Sequence, residues 1–187
     1  MKIRESGMPD ESMWNTFFDV QKIMSSFGID KSVKDVVEFG SGYGTFTIPI
    51  AKNISGKIIG LEIEDSLVNK LKTIALTSSL TNIDIRKCDF ITEGSGLEEN
   101  SVDFVLMFNI LHGKNPELLL KEGFRILKPT KTLAIMHWNY DESTPRGPPM
   151  NIRPKPLDLI SNARAVGFRD EVKFDFKPYH YGISLKK

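Results

Sequence analysis

The chain has 187 residues, enough for about one domain at the usual ~150 residues each. Apolar residues make up 40% and charged residues 26%, an ordinary globular composition that excludes wholesale disorder. Lys plus Arg number 25 against 24 Asp plus Glu, and a net charge of +1 excludes a global field that would hold polyanions or anionic membranes. A single cysteine, Cys88, excludes an intrachain disulfide and a cysteine-based zinc cluster, and three histidines leave little for a metal site. The start, Met1 to Gly7, lacks the apolar core of a signal peptide. No run approaches the ~18 apolar residues of a membrane span. A soluble cytoplasmic protein with no membrane partner is the expectation.

Trp14, Phe17, Phe18, Met24 and Phe27 recur near helical spacing with Gly28 after them, which predicts a helix over 12–27. Val36 to Phe39 reads as a short buried strand running into glycines, and a helix from about Tyr43 to Asn53 follows. Lys57 to Leu61 is a second apolar strand, closed by Glu62. Asp65 or Ser66 is placed to cap the next helix, whose Leu67, Leu71, Ile74 and Ala75 share a face. Ile83 to Ile85 is a third strand. Val102 to Phe108 is almost continuously apolar, as expected of a parallel strand covered on both faces.

Asn115-Pro116-Glu117 starts a helix that Leu120, Phe124 and Leu127 turn inward and Lys128-Pro129 ends. Thr132 to Trp138 is the fifth strand, Pro145 to Pro156 a proline-rich loop, and Leu157 to Val166 a helix stopped by Gly167. Glu171 to Phe176 and Tyr179 to Leu185 are strands joined only by Lys177-Pro178, a link that permits only an antiparallel pair. The alternation implies one α/β domain over 1–187: a Rossmann-like, doubly wound sheet. Its seven strands are mostly parallel, with helices on both faces and an antiparallel C-terminal hairpin strand.

The sharpest segment is Glu38-Phe39-Gly40-Ser41-Gly42-Tyr43-Gly44, between a predicted strand and a predicted helix. Gly40 and Gly42 permit a tight turn and close approach of a ligand. In a doubly wound sheet this first turn binds a nucleotide-like ligand. A dinucleotide fingerprint is G-x-G-x-x-G/A, whereas here the third glycine arrives one residue early and Thr45 takes the Gly/Ala place. Glu38 before the first glycine is awkward beside a pyrophosphate and suits a ligand with an ammonium group.

This stretch resembles motif I of the class I S-adenosylmethionine-dependent methyltransferases. Glu62 ends the second strand and matches the acidic residue that the family places on the ribose hydroxyls, with Ile63 beside it. A carboxylate accepts two hydrogen bonds from a vicinal diol. Cys88-Asp89-Phe90 resembles the adenine site, where Asp89 accepts from the amino group and Phe90 supplies backbone or an apolar wall. Phe108-Asn109 matches the stretch bordering the methionine moiety. Leu127-Lys128-Pro129 is similar to the family's turn before the fifth strand, with Thr130 in place of the usual glycine. The resemblance therefore implies S-adenosylmethionine as cofactor, held by Glu38, Gly40, Ser41, Gly42, Gly44, Glu62, Ile63, Asp89, Phe90 and Asn109. It also implies that residues 1–30 form an N-terminal helical extension, with Met8 and Pro9 placed to close over the site as a lid. Ser6-Gly7-Met8-Pro9 and Thr144-Pro145-Arg146-Gly147-Pro148 resemble a group of small prokaryotic methyltransferases.

His112 lies past the fourth strand, at the end that faces the ligand crevice, and is the candidate base. Its alternative is a loop histidine satisfied by backbone. His137 and Trp138 end the fifth strand on opposite faces, so at most one of them faces a given neighbour; Trp138 is the candidate acceptor contact. Arg146 and Arg153 on the proline-stiffened loop are candidates to clamp an anionic acceptor. The segment Asn109 to His112 lacks the prolines and aromatic residue with which family members methylate base amino groups. With a charge near zero, this points to a small-molecule acceptor and no nucleic acid. Two rivals stand beside this reading: a nicotinamide-dependent oxidoreductase, and a non-catalytic module that binds S-adenosylmethionine.

Overall fold

The structure, a computed structural model, describes residues 8–187. Seven strands form one sheet: β1 (Val36–Phe39), β2 (Ile58–Glu62), β3 (Ile83–Lys87), β4 (Val102–Phe108), β5 (Leu127–Trp138), β6 (Arg169–Phe176) and β7 (His180–Lys186). Six helices accompany them: α1 (Glu11–Asn15), α2 (Val20–Ser26), α3 (Thr47–Asn53), α4 (Asp65–Thr77), α5 (Pro116–Ile126) and α6 (Pro156–Val166). The sheet order is β3-β2-β1-β4-β5-β7-β6. Strands β1 to β5 pair in parallel, and β7 runs antiparallel to both β5 and β6. The chain winds outward from β1 to β3, then returns across β1 to place β4 on its other side. That reversal opens a crevice at the carboxyl ends of β1 and β4.

Strand alternation divides the core into two layers. Val37, Phe39, Val105, Met107, Leu133 and Ile135 face Leu119 and Leu120 of α5 and Leu159 and Ala163 of α6. Val36, Phe104, Leu106 and Met136 face Ile23 and Met24 of α2 and Ile50 of α3. Both faces are covered, which is why these strands read as apolar runs.

The predicted helix over 12–27 is two helices. Asp10 caps α1 through Met13 N, and Asp19 caps α2 through Lys22 N. An Asp side chain that takes a backbone N–H offers the chain an exit from helix, and Asp19 does so in mid-pattern. The predicted helix from Tyr43 starts later, at Thr47, because the glycine turn continues to Gly44. Neither Asp65 nor Ser66 caps α4: Glu64 holds the cap position, and Asp65 pairs with Lys87 at 2.7 Å. β5 begins at Leu127, so the Leu127-Lys128-Pro129 turn is the strand's own entry. There Thr130 adopts φ +67, the left-handed backbone a glycine enters freely. Lys177-Pro178, a cis peptide, links β6 to β7. Ser6 and Gly7 lie outside the described residues.

Candidate functional site

A cleft of about 960 Å³, including its open mouth, lies at the carboxyl ends of β1, β2, β3 and β4. It collects Glu38, Gly40, Ser41, Gly42, Glu62, Ile63, Asp89, Phe90, Asn109 and His112, which the sequence places far apart. Met8, Trp14, Phe46 and Phe108 also line it, although spacing reads Trp14 only as a core residue of a packing helix. An aromatic at helical spacing carries no signal that separates lining a cleft from filling a core.

The glycine loop is held from below. Gly40 N and Ser41 N both donate to Leu61 O, at 2.8 and 3.1 Å, and Gly44 N donates to Ser41 O at 2.8 Å. Gly42 N donates to the Glu62 carboxylate at 2.9 Å. These four N–H groups are spent within the chain, so the loop offers shape rather than the donors a phosphate needs. Gly40 and Gly42 sit at φ +76 and +53, and a Cβ on Gly40 would come within 3.1 Å of Ile110. Gly44 does not belong to the cleft lining: its missing Cβ makes room for Leu71 of α4, which would lie 2.3 Å away. Gly60 in β2 plays the same part for Ser41, whose hydroxyl would meet a Cβ at 2.4 Å. A glycine inside an apolar strand was the signal for that close approach.

Glu62 is buried, and its carboxylate also accepts from Ile63 N at 2.8 Å and Glu64 N at 3.0 Å. It therefore ties the glycine loop to the end of β2. Glu38 is buried at the end of β1 and accepts a hydrogen bond from the Thr47 hydroxyl at the start of α3. Burial pushes its carboxyl up to about 8, against the Thr47 bond that lowers it; the nearby Glu62 charge adds to the rise. Asn109 follows β4 at φ +56, a left-handed position that Asn tolerates. Its side chain is buried, and neither amide atom has a hydrogen-bond partner. Asp89 accepts from Ile91 N at 3.3 Å, and the Phe90 ring packs edge-on against Phe39.

His112 is 5% exposed; its Nδ1 lies 3.4 Å from His137 Nε2, and its Nε2 has no partner. Burial lowers its pKa to about 4, so the ring is neutral at pH 7. The half-buried Cys88 donates to Gly94 O, and burial pushes its thiol up, away from nucleophile behaviour. No group of three or more potential metal ligands occurs among the described residues.

Three expected acceptor contacts are corrected. Trp138 is fully buried in the layer of α1 and α2, against Trp14, Phe17 and His180, and does not reach the cleft. Arg153 is buried, and its guanidinium donates to Asn139 O, Asp141 O, Thr144 Oγ1, Arg146 O and Pro148 O. It staples its own loop and has no donor left for an anion. Arg146 reaches toward Met13 Sδ and is not part of the cleft. Replacing Arg153 with Ala is expected to lower stability by about 3 kcal/mol, because five oxygens of the loop lose a charged donor. Lys is expected to restore only part of this, having no planar fork. Urea denaturation reads the loss; a change smaller than about 0.5 kcal/mol would contradict the staple.

The family described as Methyltransferase domain matches residues 30–157, more than half of the chain. An uncharacterized methyltransferase-like protein of Schizosaccharomyces pombe is 30% identical over 122 residues, 65% of this chain and 44% of that protein. A ribosomal RNA small subunit methyltransferase A of Wigglesworthia glossinidia brevipalpis is 33% identical over 123 residues, 57% of this chain and 46% of that protein. The chain thus spans about half the length of the curated relatives it matches. A solved SAM-dependent methyltransferase from Aquifex aeolicus is similar with a TM-score of 0.82 at 24% identity, covering 94% of this chain and 93% of that one. The cyclase SpnF is similar with a TM-score of 0.77 at 14% identity, covering 100% of this chain and 87% of that one. At such identities the likeness is one of fold.

Proposed function

Because the chain belongs to the methyltransferase-domain family, we propose that it is a class I S-adenosylmethionine-dependent enzyme that methylates a small-molecule acceptor at the β1/β4 cleft. The observation that carries this reading is the polar make-up of the cleft. Buried carboxylates and an unpartnered Asn109 amide face a ligand there, while the glycine-loop N–H groups are already spent. Such a lining fits a cationic, phosphate-free nucleoside and opposes a nicotinamide dinucleotide, whose pyrophosphate needs those donors.

When bound, S-adenosylmethionine supplies an electrophilic sulfonium methyl, which leaves the protein to orient an acceptor and handle one proton. Glu38 and Asn109 hold the methionine end. Gly40, Ser41 and Gly42 shape the wall beneath it, with Gly44 setting the loop against α4. Glu62 and Ile63 hold the ribose, and Asp89 and Phe90 the adenine. His112, neutral at pH 7, takes the acceptor's proton. Met8 and Trp14, from the N-terminal segment, cover the cleft as a lid within the single domain. The reading includes a cytoplasmic setting. Among the described residues no helix is long and apolar enough to cross a membrane.

The ribosomal RNA methyltransferase relative points to a second acceptor class, a nucleic acid. The near-zero net charge and the absence of Lys and Arg from the described cleft lining favour the small molecule. Calorimetric titration with S-adenosylhomocysteine tests the cofactor, with NAD as the comparison. Micromolar binding of the first and none of the second is expected. Binding of NAD alone would overturn the assignment.

A further inference from the structure

Setting aside the groups assigned to the cofactor, Cys88 beside the adenine pair Asp89 and Phe90, and the aliphatic and carboxylate residues flanking them, six lining residues remain: Met8, Trp14, Thr45, Phe46, Phe108 and His112. Three of these are aromatic and belong to one connected wall. Phe46 meets Phe108 edge to face with ring centres 4.8 Å apart, and Phe18 joins Phe46 at 5.3 Å to Trp14 at 4.9 Å. Phe27 backs Phe108 at 5.6 Å, so the wall is fixed by the core behind it. The polar members are neutral. Thr45 donates its hydroxyl proton to Asn15 at 2.7 Å, and His112 presents a buried Nε2 with no partner.

Rings offer a planar ligand stacked or edge-on contacts that stabilise it beyond simple burial. A charged acceptor would lose its hydration against this wall with no counter-charge among the six. A buried ring nitrogen left unpaired is costly, and a hydroxyl of the ligand would recover that loss. We propose that the acceptor is an uncharged, ring-bearing alcohol or phenol, seated on Trp14, Phe46 and Phe108 with its hydroxyl at His112. The inference rests on the cofactor reading above, and it replaces the anionic acceptor that Arg146 and Arg153 suggest in the sequence.

Calorimetry with three bicyclic probes of one shape tests it: 2-naphthol, 2-naphthoate and 2-naphthylmethylammonium, with and without saturating S-adenosylhomocysteine. A small-subunit ribosomal RNA hairpin serves as a fourth ligand. The neutral alcohol is expected to bind at least about tenfold tighter than either ion. His112→Ala is expected to weaken 2-naphthol about tenfold. Met8→Arg, a change at a half-exposed position, is expected to recruit 2-naphthoate about tenfold more tightly. Equal or tighter binding of an ion or of the hairpin overturns the proposal, as does failure of 2-naphthol to bind. If 2-naphthol keeps its preference while S-adenosylhomocysteine does not bind, the cofactor assignment alone falls.

Discussion

Glu62→Ala is expected to weaken S-adenosylhomocysteine binding about a hundredfold and to cost about 3 kcal/mol of stability. The two losses share one cause. The carboxylate accepts from the N–H groups of Gly42, Ile63 and Glu64, so its removal strands three backbone donors at a buried strand end. One of them belongs to the glycine loop, and its release lets the cofactor wall move. Glu62→Gln separates the contributions. An amide keeps one acceptor oxygen and turns an N–H toward the other partners, so either Gly42 or the Ile63–Glu64 pair loses its bond. About a tenfold loss of affinity and half the stability loss are expected of it. Calorimetry and urea denaturation of the same samples read both numbers. If Ala lowers stability and leaves affinity unchanged, Glu62 is a loop tie and the ribose assignment is wrong.

The second large effect is a pH dependence centred on Glu38. With its carboxyl pushed up to about 8, the group is mostly protonated at neutral pH in the ligand-free protein. A cationic ligand end favours the carboxylate, so binding below pH 8 releases a proton. The affinity for S-adenosylhomocysteine is then expected to weaken as pH falls below 8, approaching tenfold per unit. Glu38→Gln flattens that slope. Calorimetry in buffers of different ionisation enthalpy counts the proton directly, and no release at pH 7 would refute the role.

Stability carries the opposite sign. Because the folded pKa lies above the ordinary 4.5, the native state binds this proton more tightly than the unfolded chain. The resulting stabilisation is full below pH 4.5 and is lost as pH rises through 8. His112 and His180, lowered to about 4 and about 3, act the other way: their neutral forms support the fold above pH 6.5 and fail it in acid. The difference between wild type and Glu38→Gln across this range isolates the carboxyl.

What the sequence discloses follows from which constraints leave a mark on residue type. The glycine turn is legible because Gly40, Gly42 and Gly44 all need positive φ, which few other residues tolerate. Glu62 and Asp89 are legible because strand ends fix where the ligand crevice lies. Arg153 is not, since its five partners are oxygens that come together only when the loop has closed. Trp138 stands at the right strand end on the wrong face, and period-two alternation says only that His137 and Trp138 part company. The split of α1 from α2 is hidden because Asp19 writes the same letter as a cap and as an exposed helical residue. Trp14 and Phe46 serve core and cleft together, a double duty that hydrophobic spacing cannot resolve.

The place of β7 has a consequence for how the chain is made. It is the last strand of this sheet in chain order, yet it lies inside the sheet between β5 and β6, bonded to both along most of its length. Until it emerges, β5 has an open edge beside buried residues such as Leu133 and Ile135, and β6 has no strand to join. Trp138 and His137 likewise wait for His180 and Tyr181, their cross-strand partners. A ribosome-bound chain can therefore assemble β1 to β4 early, but it must carry an unfinished edge until β7 is released. Such an edge is prone to pair with another chain. Slowing translation after β6 should lengthen that exposure and lower the yield of folded protein, although every residue of the cleft would already have been made.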